Sequence, residues 1–268
     1  MPSMQEELNE NCFAMFKGEP GTRKSSQAVT YPAPQYWFST DWKMRALQLP
    51  MSIFGVKKSD IVYDDYEMWS GEKGIEQKLE KLKMTCPYKS IVIDSATSLV
   101  DKVLNQTITM KGGQTRQSGA SAGKRIAGIA VNELEDYNAE TGAFMKLITE
   151  LKDIWKYQKV NIIIIAHVMM VTEKTINGNT SFARSIVTAA KRTAAKLPAY
   201  CDETYHFNVG SSMVVGQGGN YEILTTHTGD DFARTALPLP AKIEIGDKNL
   251  YKDFVLPAMT KLKNTQTI

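Results

Sequence analysis

One stretch of nine residues decides the fold of this chain: Gly18-Glu19-Pro20-Gly21-Thr22-Arg23-Lys24-Ser25-Ser26. It follows an apolar run at residues 12–16 that is typical of a strand, and it precedes a possible helix at residues 25–30. Against the pattern G-x-x-x-x-G-K-[S/T], the first Gly, the Lys and the Ser are in register, and Arg23 replaces the second Gly. Backbone amides at such a turn converge on phosphate oxygens, while the Lys and the Ser bind phosphate and Mg²⁺. The stretch therefore predicts a phosphate-binding loop for ATP and Mg²⁺. A Gly/Pro turn with incidental basic residues is the alternative.

A second stretch, SIVIDS at residues 90–95, has one acid directly after an apolar strand. In proteins with a phosphate loop, an Asp at the end of a strand holds the Mg²⁺ shell. Asp94 fits that role together with Ser25. An Asp-Ser pair that caps a following helix is the alternative for this stretch alone. Two such elements in the expected order favour a shared nucleotide site.

Apolar runs alternate with longer amphipathic segments along the chain, which predicts an α/β fold with a mostly parallel central sheet flanked by helices. Strands are expected at residues 12–16, 35–39, 90–93 and 160–166, and helices at residues 74–83 and 133–157. The run of isoleucines at residues 162–165 has no polar side, so we expect that strand to be buried on both faces.

The length of 268 residues suits a single large α/β domain over residues 1–268. Residues 1–11 are expected to form an N-terminal tail. Two stretches rich in Gly, Ser, Thr or Asn, at residues 106–126 and 172–185, are expected to be irregular mobile loops. Residues 201–268 are expected to add short strands, at residues 209–215 and 221–226, and a final helix to the same domain.

The charge balance and the cysteines exclude several classes of protein. The 32 basic and 29 acidic residues leave a net charge of +3, so nucleic-acid binding would need local basic clusters. Cys12, Cys86 and Cys201 are too far apart for a metal motif or a disulfide framework, which favours a reducing cytoplasm. The polar, acidic N-terminus resembles no secretory signal, and no apolar run is long enough for a membrane span. We therefore expect a soluble cytoplasmic protein.

Four motifs together resemble the RecA-like P-loop ATPases: GEPGTRKSS, QYWFSTDW, SIVIDSATSLV and VNIIIIAH, in this order. The similarity is closest to the small phage-encoded RecA-type ATPases associated with single-strand annealing and recombination. It runs over residues 13–240. It implies a RecA-like core and a location in the host cytoplasm if the chain is phage-encoded.

The resemblance also implies roles for single residues outside the loop. RecA-like enzymes have an acid, more often Glu, that orients the attacking water after the second strand, and Asp41 occupies this place. Their polar sensor of the γ-phosphate corresponds to His167, although a lone His at a strand end is otherwise more often a core residue. Relatives present a Lys-x-Arg pair to the nucleotide of the next subunit, and Arg234 is the only cation of that pair in this sequence. A solvated turn arginine is the alternative. Lys24, Asp41, His167 and Arg234 are thus the candidate catalytic residues.

RecA-type proteins bind DNA through two loops, and the irregular stretches above fall at the corresponding places. Both are locally basic, which suits salt-dependent binding of the backbone of single-stranded DNA with little sequence preference. The candidate contacts are Lys111, Arg116, Lys124 and Arg125 in the first region, and Lys174, Arg184, Lys191 and Arg192 in the second. Solvated flexible loops are the alternative.

The first interpretation is therefore an Mg²⁺-dependent ATPase that binds single-stranded DNA as a homo-oligomer, a ring or a filament, in recombination or annealing. A single-strand-binding protein is a further expected partner. Two alternatives stay open at this point. One is a nucleotide-gated DNA-binding scaffold with little hydrolysis, favoured by Arg23 and by Asp in place of Glu at residue 41. The other is a helicase-type motor, because a fold does not choose among functions.

Overall fold

A computed structural model describes residues 11–110, 125–126, 129–130, 134–174, 180–187, 191–210, 220–228 and 231–265. Their strands are β1 (Phe13–Gly18), β2 (Gln35–Ser39), β3 (Ile61–Asp65), β4 (Ser90–Asp94), β5 (Arg125–Ile126), β6 (Ile129–Ala130), β7 (Asn161–Lys174), β8 (Thr180–Ile186), β9 (Glu203–Gly210), β10 (Asn220–Leu224) and β11 (Lys242–Glu244). The α-helices are α1 (Lys24–Ala28), α2 (Gln48–Phe54), α3 (Ile75–Met84), α4 (Ala96–Met110), α5 (Leu134–Gln158), α6 (Lys191–Lys196) and α7 (Leu256–Thr265). Short 3₁₀ turns lie at Met44–Leu47, Lys58–Asp60 and Leu197–Tyr200, and a π-helical turn at Tyr251–Val255 precedes α7.

Within the described residues, nine strands form one central sheet in the order β11-β10-β9-β1-β7-β4-β2-β3, with β8 paired to β7. Strands β1, β2, β3, β4, β7 and β9 run parallel to one another, whereas β8, β10 and β11 are antiparallel to their neighbours. The predicted α/β class with a mostly parallel sheet flanked by helices is confirmed.

The register of the sheet brings the predicted site residues to one edge. Strand β7 lies between β1 and β4, so that Gly18 is opposite His167 and Asp94 is opposite Ile165. On the other side of β4, Asp94 is opposite Ser39 at the end of β2. Because these strands are parallel, their carboxyl ends meet along one line of the sheet, which is where ligands bind in open α/β sheets.

The sheet separates two apolar cores. Ile162 and Ile164 of β7 pack with α3, α4 and α5 on one face, while Ile163 and Ile165 pack with α1 and α7 on the other. All four isoleucines are fully buried. The predicted burial of this strand on both faces is therefore confirmed, and it stabilises each side chain by roughly 1.5–3 kcal/mol relative to exposure.

The two stretches expected to be irregular contain more regular structure than their composition indicates. Helix α4 continues to Met110, and β5 begins at Arg125, so only residues 111–124 of the first stretch lie outside the described residues. Strand β7 continues to Lys174 and pairs antiparallel with β8. The expected loop at 172–174 and 180–185 is therefore wrong. The Asn-Gly pair lies in residues 175–179, which are not described, and the flanking Val, Thr and Phe residues have side chains that favour strands.

Strands β9 and β3 are among those that the sequence did not predict, because polar or acidic residues interrupt their apolar runs. Strand β9 begins at Glu203, whereas the expected strand began at residue 209, and most of that expected strand lies in the undescribed residues 211–219. Strand β3 has one buried neighbour and ends the sheet, with Val62 and Tyr63 exposed and followed by two carboxylates, Asp64 and Asp65. No helix in the described part of the chain is long and apolar enough to cross a membrane.

Candidate nucleotide-binding site

The phosphate loop, residues 18–26, connects β1 to α1 through two glycines that the backbone requires. A Cβ on Gly18 would come within 2.3 Å of the carbonyl oxygen of Phe207 on β9, so no side chain fits there. Gly21 has a φ of +81°, which side chains rarely tolerate. Thr22 closes the loop, since its Oγ1 donates a hydrogen bond to the Glu19 carbonyl at 2.8 Å. The result is a compact turn at the carboxyl end of a buried strand.

Arg23 occupies the place of the second glycine and adopts the left-handed conformation that a glycine would supply, with a φ of +67°. This conformation costs a non-glycine residue roughly 1–2 kcal/mol. Its guanidinium leaves the loop, donates to the Gly246 carbonyl at 2.7 Å, approaches Asp247 at 3.4 Å and lies over the ring of Tyr221 at 3.9 Å. These contacts with distant parts of the same chain keep the side chain in one place. The departure from the motif is thus accommodated by the fold.

Lys24 is buried at the first turn of α1, with 4% of its surface exposed. Its Nζ donates to the carbonyl oxygens of Gly18 at 2.8 Å and Glu19 at 2.7 Å. Burial lowers the pKa of Lys24 to about 8, and the neighbouring charges of Asp94 and Glu19 oppose that shift. The ammonium group therefore stays mostly charged at neutral pH, inside a turn whose amides suit an anion.

Ser25 and Asp94 meet across the sheet edge, where Ser25 Oγ donates to Asp94 Oδ2 at 2.8 Å. Burial raises the pKa of Asp94 to about 6; the Ser25 hydrogen bond opposes the shift, and the charge of Asp41 adds to it. A hydroxyl and a carboxylate are hard oxygen ligands, and Mg²⁺ in nucleotide sites takes one or two such groups together with phosphates. The donor set of this pair fits Mg²⁺. No group of three or more His, Cys, Asp or Glu able to hold a metal occurs among the described residues.

The end of β2 is fixed to the end of β4 by a reciprocal pair of hydrogen bonds. Thr40 Oγ1 donates to the Ser95 carbonyl at 2.8 Å and accepts from the Ser95 amide at 2.9 Å. The chain then presents Asp41, which forms an ion pair with Lys43 at 3.2 Å. Because Thr40 is buried and bonded in this way, the position of Asp41 relative to Asp94 is set by the backbone.

These residues surround one cavity of about 340 Å³. Its lining consists of Pro20, Gly21, Thr22, Arg23, Lys24, Ser25, Ser26, Asp41, Lys43, Ala46, Leu47, Asp94 and His167. His167 is held by its backbone amide, which donates to Thr97 Oγ1 at 2.9 Å. Burial lowers the pKa of His167, and the charges of Lys24 and Lys43 lower it further. The imidazole is therefore neutral at physiological pH and offers a hydrogen bond rather than a charge.

The predicted residues from Gly18 to Ser26, Asp41, Asp94 and His167 thus lie together, and their roles stay predictions. Arg234 does not join them. Its backbone pairs with Thr204 of β9, and its charge acts on Asp202 at the amino end of that strand, away from the cavity. Sequence reasoning missed Thr40 and Lys43, although both flank Asp41 in the motif QYWFSTDWK.

The predicted DNA contacts are only partly within the described residues. Lys111, Arg116 and Lys124 lie outside them. The backbone is described for Arg125 on β5, Lys174 on β7, Arg184 on β8, and Lys191 and Arg192 on α6, without their side chains. Their role in binding DNA stays a prediction.

A strand, a phosphate loop and a helix, with a buried Lys, a Ser and an Asp from the neighbouring part of the sheet, define the class of P-loop nucleoside triphosphatases. The family model of the AAA domain matches residues 14–235, and the chain therefore belongs to the AAA domain family of P-loop ATPases. No curated protein matches the chain. The family match covers the phosphate loop, Asp94 and His167, and the more specific resemblance to phage annealing ATPases stays a prediction.

Proposed function

We propose that this chain binds ATP with Mg²⁺ in the cavity at the sheet edge and hydrolyses it. The observation that carries this proposal is the contact of Ser25 with Asp94, 2.8 Å apart, beside the buried ammonium of Lys24. Lys24 and Ser25 lie on α1 directly after β1, and Asp94 ends β4. Strand β7 separates β1 from β4, so the fold rather than the local sequence brings these groups together.

Each side chain has a part in that proposal. Lys24 and the amides of the phosphate loop hold the phosphates, and Ser25 and Asp94 hold Mg²⁺, which when bound supplies charge neutralisation at the phosphate oxygens. Asp41, on the opposite wall, orients the attacking water and accepts its proton. Neutral His167 lies at the inner end of the cavity and donates or accepts a hydrogen bond there.

The direct test removes the buried ammonium. Lys24→Ala should abolish ATP turnover and weaken the binding of a fluorescent ATP analogue, because the ammonium is the main positive side chain inside the loop. Lys58→Ala, which changes an exposed lysine outside the cavity, is the matched control and should behave as the wild type. Unchanged turnover in Lys24→Ala would remove the loop from the mechanism.

We further propose that the chain binds single-stranded DNA and acts in recombination or annealing. Two features support this. Basic residues occur in two regions of the sequence, at residues 111–125 and 174–192. In addition, β7 runs without interruption from the cavity residue His167 into the β7–β8 hairpin, so a change at the nucleotide has a rigid path to one of those regions.

The test for DNA binding is the affinity for a labelled oligothymidylate, measured with and without an ATP analogue and at several salt concentrations. Nucleotide-dependent binding with a steep salt dependence supports the proposal. Affinity that does not depend on nucleotide would separate the two functions, and no binding would remove DNA from the proposal. Strand annealing and unwinding of a forked duplex then distinguish the recombination role from that of a motor.

A scaffold with little hydrolysis is the second candidate function, and one observation favours it. Asp41 has a shorter side chain than the Glu that the resemblance implies, and its carboxylate is already paired with Lys43 at 3.2 Å. ATP turnover with and without single-stranded DNA separates the two candidates. Tight ATP binding with negligible turnover in both conditions would favour the scaffold.

We also propose that the chain acts as a homo-oligomer in which Arg234 reaches the nucleotide of a neighbouring subunit. The argument is that Arg234 is exposed and lies away from the cavity of its own chain. Mixing Arg234→Ala with Asp94→Asn tests this, because each variant would retain the group that the other lacks. Recovery of turnover in the mixture supports a shared site, and no recovery contradicts it.

A further inference from the structure

Trp42 is the residue of this region that the proposed ATPase reaction does not use. It follows Asp41 directly, and 58% of its surface is exposed. Its φ of +60° lies in the left-handed region, where a bulky residue is a genuine outlier. Large aromatic side chains bury most of their surface in a folded protein, and strained backbone clusters at functional sites. An exposed indole on a strained backbone therefore indicates a ligand.

Positive charge surrounds this indole. The ammonium of Lys102, on the second turn of α4, lies 5.4 Å from the centre of the ring. Lys43 and Arg45 follow Trp42 in the chain, and both are exposed. Asp41 and Asp101 are the acids next to these residues in the sequence, and Asp41 is paired with Lys43. The ring thus offers a flat apolar surface among groups that attract anions.

The segment that carries Trp42 and the helix that carries Lys102 are both fixed to the rest of the fold. Trp42 is two residues from Thr40, whose hydrogen bonds with Ser95 fix the end of β2 to the end of β4. Lys102 is on the same helix as Leu99 and Val103, which are buried in the core between α4 and α5. The backbone positions of Trp42 and Lys102 are therefore fixed before any ligand binds, so that only their side chains need to be ordered on binding.

We propose that Trp42 and Lys102 form a binding site for one nucleotide of single-stranded DNA, with the base stacked on the indole and the adjacent phosphate on the ammonium. This inference rests on the proposed function, that the chain binds single-stranded DNA. Proteins that bind such strands without sequence preference combine aromatic side chains with basic groups in this way. The position next to Asp41 gives the site a second role. A base stacked on Trp42 acts on the backbone of the adjacent Asp41, the residue proposed to orient water. The binding of single-stranded DNA therefore changes the rate of hydrolysis.

The test uses substitutions of Trp42 that distinguish the effect of losing the aromatic ring from an effect on the left-handed backbone. Trp42→Asn removes the ring, and Asn tolerates the left-handed conformation better than most residues. Trp42→Phe keeps an aromatic surface. The matched control is Tyr157→Ala, because Tyr157 is 70% exposed and has Lys156 at 5.9 Å from its ring. That pair is at the end of α5, near the amino end of β7 and away from the cavity.

The binding of labelled oligothymidylate in the presence of an ATP analogue gives the main result. Trp42→Asn should weaken it on the order of tenfold, as expected for loss of one stacked base, while Trp42→Phe and Tyr157→Ala stay close to the wild type. Lys102→Ala should lower the slope of the logarithm of affinity against the logarithm of salt concentration by about 0.7, the value for one phosphate contact. Stimulation by the oligonucleotide, expressed as the ratio of turnover with DNA to turnover without DNA for each variant, should be lost in Trp42→Asn.

Four outcomes overturn the inference. If the wild type binds the oligonucleotide and Trp42→Asn binds it equally well, the site is wrong while the proposed function stands. If the wild type does not bind it at all, the proposed DNA function fails, and the inference fails with it. If Trp42→Asn weakens the binding of a fluorescent ATP analogue without DNA, the ring stacks on the base of the bound nucleotide. If it lowers self-association, measured by light scattering, and leaves DNA affinity unchanged, the ring contacts a second copy.

Discussion

The two walls of the nucleotide cavity are built differently. On the loop wall, Lys24, Ser25 and Asp94 are buried or nearly so and already contact the groups that surround them. On the opposite wall, Asp41 is paired with Lys43, whose side chain is 71% exposed, and the next residue to Asp41 is the exposed Trp42. The difference lies in the neighbours: the groups proposed to hold phosphate and metal contact buried partners, whereas Asp41, itself 14% exposed, is followed by Trp42 and Lys43, which are open to solvent and to a further ligand.

The loop wall has an electrostatic cost. Burial raises the pKa of Asp94 to about 6 and lowers that of Lys24 to about 8, so both charged forms are disfavoured where they lie. Perturbed groups of this kind cluster at functional sites. The disfavoured charges of Asp94 and Lys24 are consistent with a cavity that binds a ligand able to neutralise them.

The largest expected effect is the loss of the buried carboxylate. Asp94→Asn keeps the size of the side chain and a hydrogen bond to Ser25 but removes the charge that holds Mg²⁺. We expect Mg²⁺-dependent ATP turnover to fall by about 10³-fold or more, because the metal is the main source of charge neutralisation in phosphoryl transfer. Steady-state turnover against Mg²⁺ concentration measures this. Full activity at raised Mg²⁺ would mean that Asp94 only assists a metal held elsewhere.

The acid of the opposite wall should affect the rate and not the binding of ATP. Asp41→Asn removes the group that orients water, so turnover should fall by about 10²- to 10³-fold, the range for a general base. The dissociation constant of a fluorescent ATP analogue should stay within about twofold, since the proposed role of Asp41 is to act on the attacking water and not to hold the phosphates. Asp41→Glu is the control, and it should keep or raise turnover. Weakened ATP binding in Asp41→Asn would mean that the two walls act as one unit.

The cost of the loop wall should appear in the pH dependence of folding. The pKa of Asp94 is near 6 in the folded chain and 3.8 when exposed, so between these values the folded state holds a proton that the unfolded state has lost. Stability therefore falls as the pH rises through this window, by up to about 3 kcal/mol from this group. At pH 7 in EDTA and without nucleotide, Asp94→Asn should be more stable than the wild type by an amount of this order.

Urea denaturation at several pH values checks that expectation. The difference in the free energy of unfolding between Asp94→Asn and the wild type should disappear below about pH 4, where the aspartate is protonated in both states. A difference that stays constant from pH 4 to pH 7 would show that packing, rather than ionisation, distinguishes the two side chains.

The smallest effect is expected from the exposed partner of Asp41. Lys43→Met breaks an ion pair in which the lysine side chain is 71% exposed and the aspartate side chain 14% exposed, and pairs with an exposed partner contribute about 0–1 kcal/mol. Turnover should change by less than about fivefold and thermal stability by little. Lys43→Arg, which keeps the charge, is the control. A large loss of turnover in Lys43→Met but not in Lys43→Arg would contradict this expectation and show that turnover needs a positive charge at residue 43.

The parts of the site that sequence reasoning found are those with a local pattern. The phosphate loop combines residue types at fixed spacing, and Asp94 ends a short apolar strand, so both could be recognised within a few residues. The contacts of Arg23 could not be found in this way. Its partners Tyr221 and Gly246 are about two hundred residues further along the chain, and only the sheet order brings β10 and the turn after β11 next to the loop.

The fold class and most buried strands were predictable for a similar reason, and the strand order was not. Strand β7 is the fourth long apolar run in the sequence, yet it lies between β1 and β4, and no property of its isoleucines indicates that place. Strands with polar or acidic residues were the hardest to predict. Strand β8 contains Ser, Thr and Arg, and β3 contains two Asp residues, so neither reads as a strand by apolar content alone.

Strand β3 has a consequence for handling the protein in solution. It ends the described sheet, and its backbone faces outward beside exposed Val62 and Tyr63. An exposed edge strand of this kind is a template for pairing with a second copy of the chain, but such pairing would bring the negative charges of Asp64 and Asp65 of both copies close together. Salt screens that repulsion, so concentrated samples should stay clear longer at low ionic strength than at high ionic strength, and turbidity over time would record the difference.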